Sequence, residues 1–578
     1  MRPRFSEVRK KLKADYSRFP KLKLAILGDA PTQLLHQAIR GMSFDAQLDV
    51  EIYEADFDQI NLQVADPNSK LYRFAPEVVL IAQSSERFLS DYYKLALPDR
   101  SEFADHRIEA VRAIYGTVTR RRQARTLICN LPELDDAVHG SFANKNLHSS
   151  LFQFRRFNLK LMELAAACPD LFVVDVASLQ NRLGRDAIHS ARSYVNQGFT
   201  FDLEFWPRVA ERVLQILLAL RGKVVKAVIV DLDNTLWGGV IGDDGLQHIQ
   251  LGDLGIGKAF SGLQRWLKEL KERGIILCVC SKNFEKTAKE PFVNHPDMLL
   301  RLQDIAVFVA NWENKVDNIQ HIRNVLNIGF DSIVYLDDNP FERNMVKQAI
   351  PSLNVPELPD DPVDFLGYLQ DLNLFETTTL SQEDSARTRQ YREEAERATL
   401  QKNYASEDEF LASLDMVASA KPFDSFAAPR IAQLSQRSNQ FNLRTIRYTE
   451  EDITRIAKDP RFLTLYFTLA DRYGDYGLIS VVILERQGTG LFIDTWLMSC
   501  RVLKRTMEQF VLNQIIETAM AQGATRIVGE YVPSGKNELV QNLLLDLGFT
   551  ASGKHWELPA THFEKRPTRI TQPPQPLP

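Results

Sequence analysis

The sequence predicts an α/β protein in three successive folded parts: two built on parallel sheets with helices on both faces, then a mixed α+β part. Three observations predict it. The chain has 578 residues, and at about 150 residues per domain three to five domains fit. Short apolar β runs alternate with helical stretches through the first two thirds, the pattern of parallel βαβ units. Beyond about residue 380, strands follow one another directly before a helix–strand–helix close. The expected boundaries are 1–222, 223–378 and 379–562, with a Pro-rich tail over 563–578.

In the first part, KLKLAILG is a strand ending at Gly28, followed by the helix pattern TQLLHQAIRGM. LDVEIYEADF, PEVVLIAQ, ARTLICNL and PDLFVVDVAS are further strands, and the helix FWPRVAERVLQILLALRG closes the part at Gly222. The second part has strands AVIVDLD, IILCVCS, AVFVANW and DSIVYLDD, with helices FSGLQRWLKELKERG and KVDNIQHIRNVLNIG between them. It leaves through IPSLNVPELPDDP, whose prolines read as an extended wrap. The third part opens with the charged helix SQEDSARTRQYREEAERATLQK. Strands within FLTLYFTLADRYGDYGLISVVILE and GLFIDTWLMSC follow, then a helix, the strand RIVGEYV and the helix NELVQNLLLDLGF. The last dozen residues, PTRITQPPQPLP, are expected to be disordered.

Composition narrows the class. Hydrophobic residues are 44% and charged residues 25%, the balance of a globular chain able to bury a large core without staples. A net charge of −5 gives no reason to expect nucleic acid as a partner. Five cysteines, odd in number, argue for a reducing compartment, hence a cytoplasmic location, and against a disulfide framework. No apolar run reaches the roughly 18 residues of a membrane span. The start, MRPRFSEVRKKLKADYSRF, lacks the apolar core of a secretory signal and reads as a surface helix or arm.

The chemical signal is strongest in VIVDLDNT. Asp231 and Asp233 leave the end of a buried strand, where a doubly wound sheet binds ligands. Two carboxylates there suit Mg²⁺, a hard cation that takes oxygen ligands, and an aspartate also serves as a phosphoryl nucleophile. Three segments reinforce this: CSKN puts Ser281 at the next strand end, NWENKVDN puts Lys315 past a third, and YLDDNPFERN puts Asp337 and Asp338 at a fourth. Their order assembles a Mg²⁺-and-phosphate pocket at one sheet edge. The intervals 234–280 and 282–314 are too short for an independent cap domain, so the site is expected to be open or roofed by the flanking regions, and an open mouth favours a large or protein-borne substrate.

These four motifs resemble the haloacid dehalogenase (HAD) superfamily over about residues 223–378. The resemblance implies that Asp231 forms an aspartyl-phosphate, that Asp233 is the general acid and base, and that Ser281 and Lys315 bind the phosphoryl group. It also implies Mg²⁺ held by Asp231, Asp233 through its carbonyl, and Asp337 or Asp338. DLDNTLWGGVIGDDG, RIAQLSQRSNQFNLRT and WLMSCRVLKR, together with the α/β part in front, resemble the FkbH-like family of HAD subfamily IIIC from about Leu22 to Phe549. The family implies removal of phosphate from 1,3-bisphosphoglycerate, a phosphorylated three-carbon substrate, and loading of the glyceryl unit onto the phosphopantetheine arm of an acyl carrier protein, for polyketide or related biosynthesis.

The C-terminal part is similar to GNAT acyltransferases. Where that fold uses a glycine-bearing pyrophosphate loop, this chain has Arg501 to Thr506 without glycine, which disfavours close approach by coenzyme A. Arg501, Lys504 and Arg505 are candidates to meet a carrier protein, and Cys500, at an expected helix start, is the candidate acyl carrier. Cys280 is its rival. Cys278 shares a strand face with Cys280 but has no neighbouring zinc ligands, and Cys129 and Cys168 read as core. Gln436 and Asn439, within the string Gln433, Gln436, Asn439, Gln440 and Asn442, are candidates to bind pantetheine amides or a glycerate hydroxyl; a capped, solvated helix end is the equal alternative. The first part resembles SGNH hydrolases, yet Gly28-Asp29-Ala30 stands where Gly-Asp-Ser is needed, so it is expected to be inactive; His148 and His189 have no assigned role. A plain HAD phosphatase and a non-enzymatic carrier-protein scaffold are the alternative functions.

Overall fold

The structure is a computed structural model and describes residues 3–379, 388–393, 406–499, 502–561 and 563–573. Two compact units divide it, Met1–Ala219 and Leu220–Pro578. Most of the charged helix expected over 381–402 lies outside the described residues.

The first unit is built on five parallel strands: β1 (Lys21–Gly28), β2 (Asp49–Glu54), β3 (Val78–Ala82), β4 (Arg125–Cys129) and β5 (Leu171–Val174). Their order is β2-β1-β3-β4-β5. The central strands are continuous apolar runs because helices cover both faces. Helices Phe103–Arg122 and Ser150–Ala167 bury Ile108, Val111, Phe154 and Phe157 in one core with Val79 and Ile81. The basic N-terminal stretch forms the helix Phe5–Lys10, with Phe5 and Val8 buried. Gly41 lets it approach closely, since a Cβ there would stand 2.3 Å from the Val8 carbonyl oxygen.

The second unit holds two sheets. The first has four parallel strands, β6 (Ala227–Val230), β7 (Ile276–Ser281), β8 (Ile305–Ala310) and β9 (Ile333–Leu336), in the order β8-β7-β6-β9. All four carboxyl ends therefore open on one edge. The proline-punctuated exit runs beside β9, and Tyr335 N–H donates to the Asn354 carbonyl at 2.8 Å. The wrap expected from the prolines is therefore extended backbone added to the sheet.

The other sheet comprises β10 (Val417–Lys421), β11 (Phe462–Asp471), β12 (Gly474–Gln487), β13 (Gly490–Met498), β14 (Arg526–Gly529), β15 (Thr550–Ser552) and β16 (His555–Pro559), ordered β10-β11-β12-β13-β14-β16-β15. Pairing is antiparallel except between β13 and β14, which run parallel through three residue pairs, Gly490–Phe492 with Arg526–Val528. Beyond them the chain's own Phe441–Leu443 lies along β13: Leu443 N–H donates to the Trp496 carbonyl at 3.2 Å and Met498 N–H to that of Phe441 at 3.0 Å. The helix Met507–Ala521 buries Phe510, Val511, Ile515 and Ile516 on one face of the sheet. The helix Ala428–Arg437 covers the other through Ile431 and Leu434.

The C-terminal stretch departs from expectation. Described through residue 573, it is held rather than disordered: Thr571 pairs with Val417 at the β10 edge, Ile570 is buried, and Arg569 bonds Asp408. An apolar Ile and a free strand edge outweigh the proline-rich composition there. No helix of the described residues is long and apolar enough to cross a membrane.

Candidate active site

The carboxyl edge of the four-stranded sheet gathers Asp231, Asp233, Ser281, Lys315, Asp337 and Asp338. Asp231 directly follows β6, and its N–H donates to the Leu336 carbonyl of β9 at 2.9 Å. Lys315 starts the helix Lys315–Leu326, whose N-cap Asn314 accepts from the Val316 N–H. This cap swings the lysine back over the sheet edge. Its Nζ donates to Asp231 Oδ2 at 2.9 Å and to Asp337 Oδ2 at 2.6 Å. Asp337 is also held by the Tyr335 hydroxyl, two residues earlier on the same strand face, and by the Asn339 N–H at 2.8 Å. Asp338 accepts from Thr235 Oγ at 3.1 Å. Arg343 donates to the carbonyls of Asp337 and Asp338 at 2.8 and 2.6 Å, fixing the turn.

The charge balance favours a divalent cation. Asp231, Asp337 and Asp338 bring carboxylate oxygens within 4.8 Å of one another, against the single ammonium of Lys315. Three negative charges and one positive leave a surplus of two. Asp231 Oδ1 is buried with no hydrogen-bond partner among the described residues, an orphan acceptor that costs free energy unless a ligand satisfies it. Burial pushes the Asp231 carboxyl up to about 6 against the pull of Lys315. Burial also raises Asp338, with Asp337 adding to it. Burial alone lowers a lysine, but Asp231 and Asp337 outweigh it and hold Lys315 above its ordinary value. These donors fit Mg²⁺, which takes carboxylate oxygens.

Asp233 sits apart from that cluster. Its Oδ1 accepts from the Trp237 indole N–H and the Ile241 N–H, both at 2.9 Å, and its Oδ2 accepts from Asn283 Nδ2 at 2.8 Å. Asn283 Nδ2 also lies 3.2 Å from Ser281 Oγ. Thr235, Trp237, Asn283, Tyr335 and Arg343 were not assigned roles from sequence. The available signal was their place inside the same motif segments, two to six residues from an assigned acid or hydroxyl.

Between β6 and β7 lie the short helix Ile241–Asp244 and the helix Gly257–Glu272; between β7 and β8 lie the helix Glu285–Asn294 and the turn Leu302–Asp304. Neither connection carries a sheet of its own among the described residues. Phe284 and Trp312, on the loops after β7 and β8, and Phe341, in the first turn of the helix Pro340–Ala349 after β9, are 69%, 64% and 70% exposed. Phe284 and Trp312 meet edge-on with ring centroids 5.8 Å apart.

The candidates in the C-terminal sheet fare differently. Cys500 and Arg501 lie outside the described residues. Arg505 is buried, 3.4 Å from Asp471 and 2.8 Å from the Tyr476 hydroxyl, so it is an internal ion-paired residue and not a carrier-facing cation. Gln436 is buried and donates to the Tyr448 carbonyl at 2.8 Å. Asn439 donates to the Gly222 carbonyl at 3.0 Å and accepts from Arg447. Gln436 thus ties its helix to the following loop, and Asn439 packs that loop against the polypeptide leading into β6; neither amide is free on an exposed acyl-binding face. Gln433 and Asn442 are buried too. Lys504 is exposed and helps line an open cleft of about 510 Å³ with Phe441, Leu503, Glu508, Leu543 and Leu547. Cys280 is buried, and burial pushes its thiol up to about 12. That removes the thiolate a nucleophile needs. Cys278 and Cys129 are likewise buried, and Cys168 is half-buried.

In the first unit, Ala30 presents a methyl group to a cavity of about 30 Å³, shared with Thr32, Ser84, Asn130 and Trp206. That space holds about one water. Asn130 is spent on Asp175 at 2.7 Å and on the Ala177 N–H at 2.9 Å. His189 Nδ1 faces the Thr200 carbonyl at 2.9 Å, and His148 Nδ1 the Leu97 carbonyl at 2.9 Å.

Comparison with known proteins agrees with this architecture. Residues 23–218 match the family model described as FkbH, N-terminal domain. No curated protein matches the chain. The crystal structure of the N-terminal part of protein BF1531 from Bacteroides fragilis, which contains a phosphatase domain and was complexed with Mg, is 45% identical. It covers 65% of this chain and 100% of its own, with a TM-score of 0.63. The ribosomal-protein-S18-alanine N-acetyltransferase from Escherichia coli is 13% identical over 26% of this chain and 97% of its own, with a TM-score of 0.21. The GNAT domain of S. lividans PAT is 17% identical over 25% and 90%, with a TM-score of 0.20. The four motif strand ends, the domain in front of them and the likeness to the Bacteroides protein establish that the chain belongs to the FkbH-like family of the HAD superfamily.

Proposed function

We propose that the chain is a Mg²⁺-dependent HAD-type phosphatase whose phosphoryl transfer is coupled to acyl transfer. The observation that carries this reading is Lys315, buried between Asp231 and Asp337 beside the unpartnered Asp231 Oδ1. Asp231 attacks the phosphorus and the P–O bond to the leaving group breaks. Asp233 gives its proton to the departing oxygen, then takes one from the water that hydrolyses the aspartyl-phosphate. Ser281 and Lys315 hold the phosphoryl oxygens. Asp231, the Asp233 carbonyl, Asp337 and Asp338 would hold Mg²⁺, which when bound supplies Lewis-acid neutralisation of phosphoryl charge.

The substrate we propose is 1,3-bisphosphoglycerate: Asp231 takes the phosphate of the C3 ester, the C1 acyl phosphate stays intact as the activated acyl donor, and thiolate attack on its carbonyl expels inorganic phosphate, so that the glyceryl unit passes as a thioester to the phosphopantetheine thiol of an acyl carrier protein in polyketide or related biosynthesis, in the cytoplasm. The uncapped mouth and its rim of Phe284, Trp312 and Phe341 support a substrate presented by a large partner. Cys500 remains our candidate for the transient thioester, and Lys504, exposed at the cleft, for carrier contact. A second reading, a plain phosphatase, is favoured by the internal engagement of Arg505, Gln436 and Asn439 and by Phe441–Leu443 lying along β13. Intact mass of the protein after incubation with Mg²⁺ and enzymatically generated 1,3-bisphosphoglycerate, with and without carrier protein, separates them. A glyceryl adduct that a carrier discharges supports the coupled reaction, and phosphate release with no adduct and no loaded carrier supports the plain phosphatase.

A further inference from the structure

We infer that Trp237 and Asn283 are positioning residues that aim the Asp233 carboxylate, an inference that rests on the phosphatase reading above. Asp233 accepts three hydrogen bonds. The Trp237 indole and the Ile241 amide both end on Oδ1, and Asn283 ends on Oδ2. A carboxylate held at both oxygens by donors from two separate loops has neither torsion free. The donors are themselves fixed. Trp237 is fully buried and packs edge-on against Phe292 at 6.0 Å. Its backbone bridges to Asp233 itself. Asn283 is 4% exposed, and the same amide nitrogen lies within reach of Ser281 Oγ.

The arrangement sets Asp233 relative to Ser281, and so relative to the phosphoryl group that Ser281 is proposed to bind. Asn283 links the proton donor to the phosphate-binding hydroxyl through one side chain. Neither Trp237 nor Asn283 needs to touch substrate for this role. The consequence is specific. Protonation of a leaving oxygen matters for a poor leaving group such as an alkoxide and little for a nitrophenolate, which departs without a proton. Misaiming Asp233 must therefore damage formation of the aspartyl-phosphate selectively for alkyl phosphates.

The test uses the full-length protein with Mg²⁺ and compares kcat and KM for p-nitrophenyl phosphate and for glycerol phosphate. Trp237→Phe keeps the ring and removes the N–H; Asn283→Leu keeps the volume and removes the amide. Each is expected to lower kcat/KM on glycerol phosphate by roughly tenfold or more, part of the 10²–10⁴ that an acid contributes. On p-nitrophenyl phosphate kcat/KM, which reports only the steps through formation of the aspartyl-phosphate, should change less than threefold, while kcat falls on both substrates because Asp233 is also the base for hydrolysis of that intermediate. Asp233→Asn should enlarge both the loss of kcat/KM on glycerol phosphate and the loss of kcat. Equal losses of kcat/KM on both substrates, or no loss on glycerol phosphate, would overturn the inference. If Trp237→Phe does not fold, Asn283→Leu, on a different loop, decides alone. Retained turnover in Asp231→Asn would instead overturn the phosphatase reading itself, so the two failures are distinguishable.

Discussion

Lys315 Nζ stands 2.6 Å from Asp337 Oδ2, with Lys315 3% and Asp337 0% exposed along their side chains. The lysine is the only cation hydrogen-bonded to these carboxylate side chains among the described residues, so it does structural work before any substrate arrives. Removing one partner of a buried ion pair leaves an uncompensated charge and costs about 3–5 kcal/mol. Lys315→Met is therefore expected to lose that much in urea unfolding without divalent cation and to recover part of it in excess Mg²⁺. Phosphate release should be lost in both conditions. A variant as stable as the parent without Mg²⁺ would mean the three carboxylates do not share the charge as described.

Asn439 is expected to be structural. Gly222 has φ +70°, and a Cβ there would stand 2.3 Å from the Gln436 carbonyl oxygen. The loop and the lead-in to β6 are thus in backbone contact, and Asn439 donates across it. Asn439→Ala should cost about 1 kcal/mol of stability and leave carrier loading unchanged per folded molecule. A selective loss of loading at unchanged stability would restore Asn439 as an acyl-binding residue.

The motif strands were legible because the catalytic candidates end or closely follow apolar runs, with Lys315 a short loop beyond β8, and strand order needs no side-chain detail. The polar string that begins in the helix Ala428–Arg437 and runs past its end was not. A buried amide serving a backbone contact and an exposed one serving a ligand have the same sequence. β10, β15 and β16 were missed because they are short strands at or next to the sheet's edges, with little apolar alternation. Asn283 and Trp237 lay within quoted motifs, yet their partner Asp233 is defined only by how two loops meet.

The first unit should carry its own pH dependence. Burial raises Asp29 to about 6; the Ser84 N–H donates to it at 2.8 Å, and its Oδ2 has no partner among the described residues. The folded state therefore holds a proton that the unfolded chain releases near the ordinary value of about 3.9. Stability must fall as pH rises from about 4 to about 6, by about 3 kcal/mol, and stay reduced above that. Asp29→Asn removes the titration. Urea midpoints at pH 4.5 and 7 should differ less in Asp29→Asn than in the parent; an equal pH dependence would contradict the assignment.

Cys500→Ser is expected to abolish carrier loading while sparing Mg²⁺-dependent phosphate release. Cys280→Ser should leave both carrier loading and phosphate release intact, since its thiol is buried and raised to about 12. Peptide mapping of the glyceryl adduct checks both. An adduct on Cys280 would place acyl capture in the phosphate pocket.

The most direct test of the central claim is phosphate release by Asp231→Asn in saturating Mg²⁺. The substitution removes the nucleophilic carboxylate with almost no change in volume, so the fold and its thermal midpoint should persist. Turnover should fall by at least 10³-fold, on the order of the acceleration that covalent and acid–base groups together supply, and no phosphorylated protein should be trapped. Mg²⁺-dependent turnover within tenfold of the parent would contradict the assignment of Asp231 as the nucleophile.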